Sequence, residues 1–277
     1  MLTVTMRKIA NTIRRHGVVG AVAAAARRAR AIVKGPNTWD DRFRGAFSSY
    51  RDAIAAVSPD LLPGYDNDQA VYFDLERMSQ IVPTDRPVLF WMRRLTPEIK
   101  CVLDAGGHIG VKYRAFRQHL QLDAKQIKWI VYDTKAMVRA GRRRAAADQL
   151  DALSFVETLA EVPHVDLMLC SGLLQYLDIS LSELIGQLPT RPRHLILNKV
   201  ATRDGKTIVM LERIGDAEVP YQVRDRAEFV SSLNALGYEI WDEWVLPEFA
   251  HQIRADPALG KSTSRGYYAR LLANGQH

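Results

Sequence analysis

Residues 103–116 read LDAGGHIGVKYRAF. An acid, three glycines and a histidine stand between an apolar run and a helically patterned stretch. Glycine is unfavourable inside regular structure, but it permits a sharp turn and lets a ligand approach the backbone. Asp104 closes the apolar run, and Gly106, Gly107 and Gly110 form the turn into the helix. Asp133 closes the next apolar run, IKWIVYD, 23 residues after Gly110. A carboxylate in that place accepts hydrogen bonds from two hydroxyls of a ribose; the competing reading is an N-cap for the helix that follows. A dinucleotide site requires G-x-G-x-x-G, with a pyrophosphate on the helix N-terminus. Here Ala105 stands where the first glycine belongs, and the Asp104 carboxylate repels a phosphate. The pattern suits a ligand with a positive group.

These residues need a frame to hold them, and the chain alternates accordingly after residue 98. KCVLD, IKWIVYD, LSFVE, VDLMLCSG and RHLILNKV read as strands, with helices between most of them. RDRAEFVSSLNALG reads as a further helix. YEIWDEWV and GYYARLLA close the chain as a hairpin. Continuous apolar strands alternating with helices predict a parallel sheet covered on both faces. The expected class is α/β: a Rossmann-like, seven-stranded, mostly parallel sheet with helices on both faces, plus an N-terminal helical extension. Residues 1–35 form a basic amphipathic leader, 36–97 a helical lead-in or cap, and 98–277 the ligand-binding domain. Within 36–97, SSYRDAI and NDQAVYFDLERMSQIV read as helices. Asp66-Asn67-Asp68 has the look of a metal-binding D-x-D triplet, but LLPGY precedes it instead of a buried strand, so it reads as a turn and cap. No metal site is expected.

S-adenosylmethionine carries an amino group and a sulfonium and has no phosphate, so it fits the opening stretch. The sequence resembles class I S-adenosylmethionine-dependent methyltransferases. Asp104, Gly106 and Gly110 match their first motif, with His108 in place of the central glycine. VYDTKAMVRAG is similar to the second motif, and FVETLAEVPHVDLMLCSGLLQYL to the third and fourth. The resemblance implies a cofactor site of Asp104, Gly106, Gly107, Gly110, Asp133, Thr158, Leu159, Ser171 and Leu173. FSSYRDAI, GYD, VLDAGGHIG and CSGLLQYL together resemble a bacterial methyltransferase family associated with surface-polysaccharide gene clusters. Strand five ends in Asn198 where related sequences tend to carry an acid.

Methyl transfer from a sulfonium is an in-line displacement, for which positioning supplies much of the rate. A hydroxyl acceptor also benefits from a base. His108 is the first candidate, beside the reading that its ring only caps or packs. Gln175, Tyr176 and Asn198 are candidates to orient the acceptor. Tyr221, in the stretch GDAEVPYQVRD, is read as part of a substrate lid. His194 is read as structural. The expected activity is O-methylation of a small-molecule or glycan acceptor. A nicotinamide-dependent oxidoreductase and a catalytically inactive binding protein of the same fold remain alternatives.

Charge narrows the partners. The net is +7, and eight basic residues with no acid lie in residues 1–34. The remainder is nearly balanced, which argues against a nucleic-acid enzyme with a basic main face. The leader either lies on an anionic membrane surface or is a solvated helix. Arg139, Arg142, Arg143 and Arg144 read as a solvated helix face. No apolar run reaches the roughly 18 residues of a membrane span. Cys101 and Cys170 show no metal or redox spacing and read as buried thiols of a reducing compartment. The cytoplasm, with peripheral contact at the inner membrane face, is the expected location.

Overall fold

The computed structural model describes residues 42–63, 78–215 and 217–272. The leader, the Asp66–Asp68 triplet and residues 67–77 of the expected helix lie outside them. The chain divides after Arg42, and Phe43–His277 forms one compact unit.

Its centre is five parallel strands: β3 (Cys101–Ala105), β4 (Lys128–Tyr132), β5 (Leu153–Val156), β6 (Leu167–Ser171) and β7 (His194–Arg203). Their spatial order is β5-β4-β3-β6-β7. Asp104 is in register with Val131 on one side and Leu169 on the other. Side chains alternate between the faces, and both faces are apolar because both are covered. Val102, Trp129, Leu169 and Ile196 pack with helices α2 (Arg86–Leu95), α3 (Val111–Leu120) and α4 (Lys135–Ala147). Leu103, Ala105, Cys170 and Leu197 pack with α5 (Leu181–Gly186) and α6 (Arg226–Ala235). The β5 to β6 connection carries only a 3-10 turn, Leu159–Glu161.

The closing hairpin is present and longer than expected, as β10 (Tyr238–Gln252) and β11 (Lys261–Leu271). β11 lies antiparallel between β10 and β7. Opposite Gly266 the register with β7 shifts, and Lys199 adopts a left-handed φ of 61°. These features mark a bulge in β7.

All seven expected strands form, but seven is too few: among the described residues the sheet has eleven. The additional strands are β1 (Phe43–Phe47), β2 (Leu62–Pro63), β8 (Ile208–Ile214) and β9 (Ala217–Asp225); the expected helix α1 (Tyr50–Ala55) forms beside β1. β1 and β8 pair antiparallel, as do β8 and β9, while the end of β9 pairs parallel with β7. The stretch read as a lid is therefore strand. Pro220 hid β9, since proline argues against a central strand, and Gly45 interrupts β1 in a left-handed conformation with φ of 70°.

Cys101 and Cys170 are free and buried. Burial pushes the Cys101 thiol up to about 11, with Asp166 adding to the effect and Lys128 opposing it. His194 is buried 3.0 Å from the Tyr268 hydroxyl, and its pKa falls to about 4, chiefly through burial. Among the described residues no helix is long and apolar enough to cross a membrane.

Candidate active site

The glycine turn lies at the carboxyl edge of the sheet, where open α/β sheets bind ligands. Gly106 has φ of 74° and donates its N–H to the Tyr132 carbonyl at 2.8 Å, tying the turn to β4. A β-carbon on it would lie 2.9 Å from Leu173 Cβ. At Gly107 a β-carbon would lie 2.6 Å from the Asp104 carboxyl carbon. Asp104 thus packs directly beneath the turn. His108, with φ of 57°, takes the left-handed conformation that glycine adopts freely. Its backbone N–H donates to Asp133 Oδ2 at 2.8 Å, and Thr134 N–H donates to Oδ1 at 2.7 Å. Asp133 is half-buried and holds the turn, while the Thr134 side chain makes no cap to α4.

Asp104 behaves differently from the expectation of an acid facing a positive ligand. It is 1 % exposed and accepts from Trp129 Nε1 at 3.1 Å. Burial raises its pKa to about 7; the Trp129 hydrogen bond and Lys112 oppose the rise, and Asp133 adds to it. Lys112 in turn pairs with buried Asp85 at 2.8 Å. Sequence reading missed this ion pair. Its one local signal was a lysine beside Val111 on a buried helix start.

The other wall is the segment after β6. Ser171 accepts from Asn198 Nδ2 at 3.2 Å, and Leu173 meets Gly106. Gln175 is buried in the 3-10 turn Leu174–Tyr176, and its carbonyl oxygen has no hydrogen-bond partner. Asn198 is 1 % exposed. Its Nδ2 also donates to the Thr84 carbonyl at 3.2 Å, and its Oδ1 accepts from Trp244 Nε1 at 3.0 Å. This amide braces β6, β10 and the turn before α2, rather than facing an acceptor. Thr158 is exposed at the N-cap of the Leu159–Glu161 turn, whereas the Leu159 side chain belongs to the core. Tyr221 is buried in β9, its ring centre 5.6 Å from that of Tyr176 and 4.8 Å from that of Phe43. Tyr176 donates to buried Glu212 of β8 at 2.7 Å. Glu212 escaped sequence reading because β8 did.

The turn, Asp133, Ser171, Leu173 and Gln175 thus share one edge, and His108 within the turn is buried. Among the described residues no group of three or more His, Cys, Asp or Glu could hold a metal.

No family profile matches the chain, and no curated protein matches it. Solved structures with a similar fold include the 1,6-didemethyltoxoflavin-N1-methyltransferase of Burkholderia thailandensis, bound to 1,6-didemethyltoxoflavin and S-adenosylhomocysteine. It is 18% identical over 68% of this chain and 78% of that one, with a TM-score of 0.46. An S-adenosylmethionine-dependent methyltransferase from Clostridium acetobutylicum is 12% identical over 73% of this chain and 97% of that one, with a TM-score of 0.45. An O-methyltransferase family protein from Burkholderia thailandensis is 14% identical over 76% of this chain and 62% of that one, with a TM-score of 0.45. Likeness of fold leaves function to be argued from the site.

Proposed function

We propose that this protein is an S-adenosylmethionine-dependent methyltransferase that methylates an oxygen of a small-molecule or glycan acceptor in the cytoplasm. One observation carries the reading: the left-handed glycine turn after β3 is bonded through His108 N–H to the carboxylate that ends β4. A tight backbone cradle and a half-buried acid then lie side by side, one suited to the methionine end of the cofactor and the other to its ribose. Bound there, S-adenosylmethionine supplies an electrophilic methyl group on a positively charged sulfur.

The chain's own residues position and enclose. The 106–110 turn supplies the close backbone approach, and Leu173 closes against it. The unpartnered Gln175 carbonyl suits a hydroxyl donor on the acceptor. Asn198 and Tyr221 serve by fixing the strands around that segment. Asp104 is buried, and burial raises its pKa to about 7, so it repels a phosphate less than an exposed carboxylate would; Ala105 in place of the first glycine weighs more against a dinucleotide. Titration with S-adenosylmethionine and with NAD separates the two readings directly.

Asp133→Ala is expected to weaken S-adenosylmethionine binding at least about ten-fold, since hydrogen bonds to a charged group contribute about 1.5–3 kcal/mol each. Asp133→Asn should fall between it and the wild type. Unchanged calorimetric affinity in a folded Asp133→Ala protein would refute the ribose assignment.

In the same reading the leader holds the enzyme near an anionic membrane. Each basic side chain near such a surface contributes about 1 kcal/mol. Removing residues 1–34 is expected to abolish sedimentation with phosphatidylglycerol vesicles and to leave cofactor affinity unchanged. Equal vesicle binding by both proteins would contradict the membrane role.

A further inference from the structure

Arg224 of β9 is 8 % exposed, and among the described residues no carboxylate pairs with it. Its Nη2 makes one long bond, 3.4 Å, to the Ile179 carbonyl, and its buried Nη1 has no partner. Burial alone lowers its pKa to about 10. An enclosed charge of this kind is strongly unfavourable unless something compensates it. Arg224 also lines a pocket of about 310 Å³, formed between β9, the 178–183 segment and α6.

We infer that this pocket binds a small molecule carrying both an oxyanion and an ammonium group, with Arg224 taking the oxyanion. The guanidinium selects a carboxylate or phosphate, for which its forked donors are shaped. The mouth selects the second charge. Asp178, Glu183 and Glu228 line the pocket and are exposed, although one oxygen of Glu183 already accepts from the Ser180 N–H and hydroxyl, each at 2.8 Å. They disfavour a bare anion and attract an ammonium group. Asp225, the remaining acid, is occupied in accepting from the Ala227 and Glu228 N–H groups at the start of α6. The pocket is separate from the glycine turn. Leu173, near one end of the segment 173–179, meets Gly106, and Ile179 at the other meets Arg224. The inference does not depend on the methyl-transfer reading.

The test compares wild type with Arg224→Met in thermal melts at constant ionic strength, using acetate and glycine as probes. They share a carboxylate and differ in the ammonium group. Without probe, Arg224→Met is expected to melt at or above the wild-type temperature, because the uncompensated charge is gone. In the wild type, glycine should raise the melting temperature saturably and more than acetate. Both effects should vanish in Arg224→Met, and Glu228→Gln should narrow the gap between the probes. Equal responses in wild type and Arg224→Met would overturn the site. Loss of the fold in Arg224→Met would show the guanidinium to be a structural brace and overturn it equally. Acetate matching or exceeding glycine would overturn the assigned ligand class.

Discussion

Gly106→Val is expected to abolish S-adenosylmethionine binding and to destabilise the fold by about 2–4 kcal/mol. Two effects act at one atom. The native φ of 74° is unfavourable for any residue with a β-carbon, and more so for a branched one. That carbon would also stand 2.9 Å from Leu173 Cβ, which is fixed to the backbone and cannot swing away. The turn and the segment after β6 must therefore separate. The Gly106 N–H bond to Tyr132, 2.8 Å long, resists the movement, so strain passes into β4 and Asp133. Calorimetric titration with the cofactor, paired with a thermal melt, reads both effects. Wild-type affinity in Gly106→Val would remove the turn from the cofactor site.

Asp104→Asn is expected to change how stability depends on pH. The folded-state pKa of Asp104 is about 7, against an ordinary 3.8. Between those values the folded chain holds a proton that the unfolded chain has released. The group therefore favours folding least at high pH: its penalty is absent below pH 4, grows as pH rises toward 7, and is constant above that. The full difference is at most about 4 kcal/mol. Asparagine stays neutral throughout and imitates the protonated acid. The variant should match the wild type near pH 3 and melt higher near pH 8, with part of the gap already open at pH 5. Parallel melting profiles for the two proteins across this range would show that Asp104 does not titrate near neutrality.

The glycine turn was legible because its residue types state their conformational requirements locally. Gly106 and Gly110 are both left-handed, as a turn between strand and helix demands. The five parallel strands and the final hairpin were legible from apolar runs and the helices between them. The direction of Asp104 was misread, although parity bears on it. It lies two residues from Val102, which faces α3 and α4, so its side chain belongs on that buried face. The remainder depends on distant partners. Asn198 bonds to Thr84 and Trp244, 114 and 46 residues away. Asp85 meets Lys112 across 27 residues. Nothing in the short-range pattern around either position announces its partner. β1 and β9 were lost for a local reason: Gly45 and Pro220 are residues that ordinarily end strands, yet each sits within one.

The ten residues of β7 join β6 and β11 along much of their length and β9 at their end. They belong at once to the parallel sheet that carries the glycine turn and to the antiparallel extension that carries Tyr221 and Glu212. Fraying the extension from its β1 edge leaves this strand untouched, but opening β7 itself breaks both parts together. Its interior amides should thus exchange with solvent only in global unfolding, and the slowest hydrogen exchange in the chain should trace β7 from the parallel part of the sheet into the antiparallel extension.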